Sequence, residues 1–203
     1  MTTEQNSKDE LLARLELIER MMVEGRETTA NHGWAFVLWG VAYLVAIGWT
    51  AMSGNGNVAW PVTMAAAGIL SGVIGSSRGR YHPRTHTANT IGAIWTAVSV
   101  SMFLYLFSVG LSGHFELHAF VGAVEALLGA ANGASAIILR WRAQFLVALF
   151  WWASAVATCF VAVALVIPIE IVAILIGQLG FGLYLMVRQH RDRRSTATTV
   201  QHG

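Results

Sequence analysis

Three polar residues in an otherwise apolar stretch, His118, Glu125 and Asn132, are spaced by seven. On a helix, seven residues drift by only about 20°, so the three share one stripe. They lie in LHAFVGAVEALLGAANGASAIIL, residues 117–139, with no Lys or Arg beside Glu125. Two kinds of chemistry fit. As a neutral acid, Glu125 donates one hydrogen bond and accepts others, and so joins helices with bonds worth on the order of 1 kcal/mol each. Alternatively, His118 and Glu125 handle protons or cations along a polar path into the membrane. Gln178, Thr96, Ser99 and Tyr43, on other apolar runs, are the candidate partners of the stripe. Gly122, Ala126, Gly129, Ala130, Gly133 and Ala136 let neighbouring backbones approach. Gly122, Gly129 and Gly133 flank the stripe, which is therefore expected to face a bundle interior.

Other chemistry has less support. HFELH sets His114 and His118 four apart, a spacing that suits a metal, with Glu170 from another outer loop as a third ligand. Glu116 points off that face, and a solvated helix start with Glu116 against the dipole accounts for the motif. No metal and no cofactor are expected. RGRYHPRTH carries Arg78, Arg80 and Arg84, a patch suited to lipid headgroup phosphate. No nucleophile elbow, phosphate-binding loop or paired carboxylates on one helix are present, so an enzyme is not expected. Cys159 reads as a small packing residue. GQLGFG, inside an apolar helix, reads as a packing face. Basic patches without interleaved aromatics do not point to nucleic acid.

The elements that position these residues are membrane spans. Of 203 residues, 55% are hydrophobic and 12% charged, against about 25% charged in soluble domains. Six apolar runs approach the ~20 residues of a spanning helix: 33–52, 58–75, 89–109, 116–139, 144–165 and 169–187. Ser53 to Asn57 is a tight turn, and Pro168 marks the turn between spans five and six. The fold class is thus an all-α polytopic bundle of about six transmembrane helices. All thirteen Lys and Arg residues fall before span one, in the second and fourth connections, or after span six. The positive-inside rule then places both termini in the cytoplasm. Trp34, Trp60 and Trp141 are expected as interfacial anchors.

Residues 1–32 read as a cytoplasmic amphipathic helix, 33–187 as the six-helix domain and 188–203 as a basic, disordered tail. In the first segment, Leu11, Leu15, Ile18 and Met22 form one apolar face. Its seven acidic and four basic residues disfavour anionic lipid as the partner. A protein partner or a second copy of the chain fits better, and packing beneath its own bundle is the alternative.

Several stretches carry a resemblance: IERMMVEGRE at residues 18–27, the Gly-aromatic run from Gly33 into LWG at Gly40, IGAIW at residues 91–95 and GQLGFGLYLM at 177–186. The layout resembles a group of small uncharacterised bacterial six-span inner-membrane proteins with a charged amphipathic N-terminal helix. The resemblance implies an inner-membrane location and carries no activity. The expected function is a regulatory, sensor or accessory membrane protein that engages a partner through its N-terminal helix. The alternative is a small transporter or channel using His118, Glu125 and Asn132 for proton or cation coupling.

Overall fold

A computed structural model describes residues 10–17, 19, 33–54, 56–79, 86–112 and 114–200. Residues 10–17 are helical. Seven further helices follow among the described residues: α1 (Gly33–Ser53), α2 (Gly56–Gly79), α3 (His86–Ser112), α4 (Leu117–Leu139), α5 (Arg142–Phe160), α6 (Val163–Ala173) and α7 (Phe181–Val200). A π-helical turn, Ile174–Gly180, joins α6 to α7. Six helices are long and apolar enough to cross a membrane, the sixth being the continuous α6–π–α7 rod, Val163–Arg191. The chain is a multi-pass membrane protein in this sense, and no strand occurs among the described residues.

Span four is the hub. Twelve of its 23 residues are buried, whereas Ile91 and Met102 are the buried residues among the described side chains of α3. The reason is its small residues. A Cβ at Gly133 would approach the Trp152 ring to 2.7 Å, so glycine is what seats α5 against α4. The α1–α7 crossing is equally close: Gly33 and Gly182 face each other's carbonyl oxygens. Around these crossings lie two apolar layers. One holds Tyr43, Met102, Val124, Leu128, Trp151 and Ile174. The other, nearer the α4–α5 turn, holds Phe36, Ile91, Leu139, Trp141, Phe181 and Leu185. Helices α2 and α3 flank this core and leave most of their surface to lipid.

The α4–α5 turn is tight. Arg140 takes a left-handed conformation, φ 47° and ψ 44°, and Trp141 N–H closes the helix on the Ala136 carbonyl at 2.9 Å. A β-branched side chain does not tolerate that backbone. Arg140→Val is expected to be less stable than Arg140→Gly by about 1–2 kcal/mol, read from unfolding midpoints in detergent. Equal midpoints would deny the left-handed turn.

Four expectations change. The break between spans five and six falls at Val161–Ala162, not at Pro168. Pro168 is the sixth residue of α6; membrane helices accommodate proline because neighbouring groups re-satisfy the freed backbone. Span five therefore ends at Phe160, and span six starts at Val163. The basic tail is helical to Val200. Trp141 is buried at 7% exposure between Phe181, 6.1 Å away, and the Arg188 guanidinium, 5.3 Å above its ring. It packs the core rather than anchoring at the interface. Trp60, half-buried, packs on Tyr43 and Phe120.

Candidate functional site

Spans four and five pack antiparallel, and each brings a polar stripe to the contact. On α4 the stripe is Glu125, Asn132 and Ser135, spaced seven and three. On α5 it is Gln144, Trp151, Ser154 and Thr158, spaced seven, three and four. These spacings keep each set on one helix face. All are buried, and Glu125, Asn132, Ser135, Gln144, Trp151 and Thr158 have no exposed surface.

At the centre, Ser154 Oγ–H donates to Glu125 Oε1 at 2.6 Å and Thr158 Oγ1–H to Oε2 at 2.9 Å. One turn of two α5 hydroxyls thus saturates one lone pair on each carboxyl oxygen. The third member is Glu170 of α6, 4% exposed, whose carboxyl lies close to that of Glu125. Tyr43 of α1, also buried, stands close enough to Glu170 to feel its charge. The site therefore joins four helices around two carboxyl groups. Every described Lys and Arg whose side chain is placed is at least partly exposed, so the pair has no buried cation. Two carboxyls close together in a low-dielectric site repel strongly when both are charged.

Beyond the pair, polar atoms remain without partners. Asn132 Nδ2 donates to the Leu128 carbonyl at 2.9 Å. Asn132 Oδ1, Ser135 Oγ, both amide atoms of Gln144, Trp151 Nε1, Gln178 Oε1 and Glu170 Oε2 have no hydrogen-bond partner among the described residues. Gln178 reaches this region through the π turn. Eight regular residues would set it about 80° from Glu170, and the slower winding of i→i+5 bonding turns it back toward the same face. Such turns concentrate at functional sites. Gly177 beside it leaves room for the Trp151 indole, since a Cβ there would sit 2.5 Å from Nε1.

His118 sits at the start of α4, apart from the pair. Its Nε2 is 3.0 Å from the Val161 carbonyl, and a carbonyl only accepts, so Nε2 carries a hydrogen. Its Nδ1 is 3.6 Å from Glu116, a contact that the regular-helix reading of HFELH excludes; Glu116 is the extended N-cap rather than a helical residue. His114 is exposed and Glu170 is turned into the bundle, so His114, His118 and Glu170 do not converge. No three metal-ligating side chains cluster among the described residues. Placing Glu170 in an outer loop followed from putting the turn at Pro168, and its burial overturns that.

Of the candidate partners of the stripe, Tyr43 is buried near the pair, Gln178 is buried about two turns along from Glu170, and Thr96 and Ser99 are exposed on α3. Thr96 bonds the Gly92 carbonyl of its own helix at 2.8 Å. The hydroxyls that hold Glu125, Ser154 and Thr158, were not among the candidates. Their signal is the polar period on span five. Leu11 and Leu15 are exposed, as are Leu12 and Leu17. Ile18, Met22, Arg80, Arg84 and the Arg78 side chain lie outside the described residues. Comparison with protein-family models, curated proteins and solved structures finds no match, so the site is read from its own geometry.

Proposed function

We propose that this protein is a proton-responsive regulatory membrane protein in which Glu125 and Glu170 are the working groups. The observation that carries this reading is the placement of two buried carboxyls close to each other, with no buried cation among the described residues. An intramembrane carboxyl is a functional-site hypothesis by default, and here two converge. Adding or removing a proton at the pair changes the charge at the meeting point of α1, α4, α5 and α6. Those helices then have a reason to shift their packing. The output is the N-terminal helix, joined to α1 through residues 20–32. Four leucines on its 10–17 stretch are exposed, which suits a protein partner. The positive-inside rule supports cytoplasmic termini, and the resemblance noted above supports a bacterial inner membrane.

The test is difference infrared spectroscopy of the protein in lipid, from about pH 4 to about pH 10, a range spanning ordinary and strongly shifted carboxyls. Glu125→Gln and Glu170→Gln serve as references. A protonated carboxyl band that changes with pH and disappears in both variants is expected. A band unchanged across the range, or one assigned to neither residue, would refute the reading. Flux of protons or cations into proteoliposomes, lost in Glu125→Gln, would move the function from sensing to transport.

A further inference from the structure

Apart from Ser71 Oγ on α2, the unpartnered polar atoms are not spread evenly about the carboxyl pair. The antiparallel register of α4 and α5 orders them. Glu125 is level with Ser154 and Thr158. Gly133 is level with Ala148, whose Cβ would lie 3.6 Å from an added one. Continuing the register sets Gln144 beside the last turn of α4, where Ser135 lies. Trp151 Nε1, touching Gly177, falls between, and Gln178 is its neighbour. From the pair toward the α4–α5 turn, the interior thus presents Gln178 and Trp151, then Asn132, then Ser135 and Gln144. Each has at least one buried atom without a partner among the described residues. The span from Glu125 to Ser135 is about 15 Å along the helix. In the other direction, toward His118, α4 buries Val121, Gly122 and Val124, and α6 buries Val166. Among the described residues that half offers no such atom, and the His118 ring closes it on the Val161 carbonyl.

We propose that the pair exchanges its proton with one side of the membrane only, through water held by Gln178, Trp151, Asn132, Ser135 and Gln144, opening at the α4–α5 turn. Buried polar atoms are satisfied by protein or by ordered water in nearly every native structure, and a buried water needs two to four polar partners. Five side chains with acceptors and donors in alternation meet that need over the stated length. The charged and titratable groups facing the pair are Tyr43 from α1 and the two carboxyls themselves from α4 and α6. Helix α5 contributes hydroxyls only, since Cys159 is exposed and its thiol bonds the Ala155 carbonyl. Among the described residues, the apolar plug on the His118 side holds no unpartnered buried polar atom. This inference rests on the proton-binding reading and adds its direction. One-sided access suits a sensor of the compartment at the α4–α5 turn, which the basic loops assign to the cytoplasm.

The test is deuterium exchange at the carboxyl band, in proteoliposomes sorted by orientation, with D₂O mixed onto one face at a time. Exchange in the native protein is expected to be fast from the α4–α5 face and slow from the His118 face. Removing water partners is expected to slow the fast exchange about tenfold in Gln144→Met and in Ser135→Ala. The two substitutions are small enough that at least one preserves the fold, judged by its unfolding midpoint. His118→Phe should leave the rate unchanged. Equal exchange from both faces, or rates unaffected in both variants, would overturn the path. Absence of any pH-responsive carboxyl band would instead overturn the proton-binding reading itself, so the two failures are distinct.

Discussion

Gly182→Leu is expected to separate α1 from α7 and to lower stability by about 3 kcal/mol or more, beyond the usual cost of overpacking. A Cβ at Gly182 would lie 2.8 Å from Val37 Cγ2 and 2.9 Å from the Gly33 carbonyl oxygen. A Cβ at Gly33 would lie 2.7 Å from Leu185 Cβ and 2.9 Å from the Gly182 carbonyl oxygen. Apart from Val37 Cγ2, these neighbours are backbone or Cβ atoms, which cannot rotate away. The contrast is Gly68→Leu on α2, where an added Cβ meets nothing within 4 Å and the unfolding midpoint should not change. Comparable midpoints for the two variants would refute the crossing. The consequence also reaches the carboxyl pair, because the same helices carry Tyr43 and lead into Gln178. At Gly40, one turn from Tyr43, an added Cβ would lie 3.0 Å from Gln178 Cβ. A variant that loosens the crossing is therefore expected to broaden the carboxyl band as well as lower the midpoint.

That crossing was legible in part. GQLGFG inside an apolar run reads as a packing face, and Gly177 and Gly182 pack closely against Trp151 and α1. The seven-residue stripe on span four likewise reads inward because glycines flank it, and Glu125 and Asn132 are fully buried. Span count follows from hydropathy alone. What did not follow was which face of the other helices turns inward. An all-apolar helix gives no amphipathic signal in lipid, where the surroundings are as apolar as the core. Thr96 and Ser99 therefore looked equivalent to Ser154 and Thr158, although α3 is peripheral and α5 central. The discriminating feature was a shared period, Gln144 through Thr158, on the helix joined to span four by the shortest turn. Glu170 was displaced for another reason. Proline and glycine are the usual marks of a turn, and the Val161–Ala162 break carries neither, whereas Pro168 lies within a helix. No residue type marks the π turn, since its origin is tertiary.

Glu125→Leu is expected to destabilise the bundle by about 3 kcal/mol, the upper end of the cost of leaving buried groups unsatisfied. It strands Ser154, Thr158 and the Glu170 carboxyl together. The double variant Glu125→Leu/Glu170→Leu should regain at least about 1 kcal/mol over that single change, as contacting residues couple by roughly 0.5–3 kcal/mol. Leucine approximates the volume of glutamate, and replacing both members of a buried polar pair by apolar groups is often neutral or better. Unfolding in mixed micelles measures both. This result decides between adhesive and working carboxyls. If the pair were interhelical glue, the double variant would remain less stable than the native protein. If the double variant matches or exceeds the native protein in stability, yet its carboxyl band and pH response are gone, the two acids are maintained against the interest of stability. Their retention then has to be explained by what their proton does.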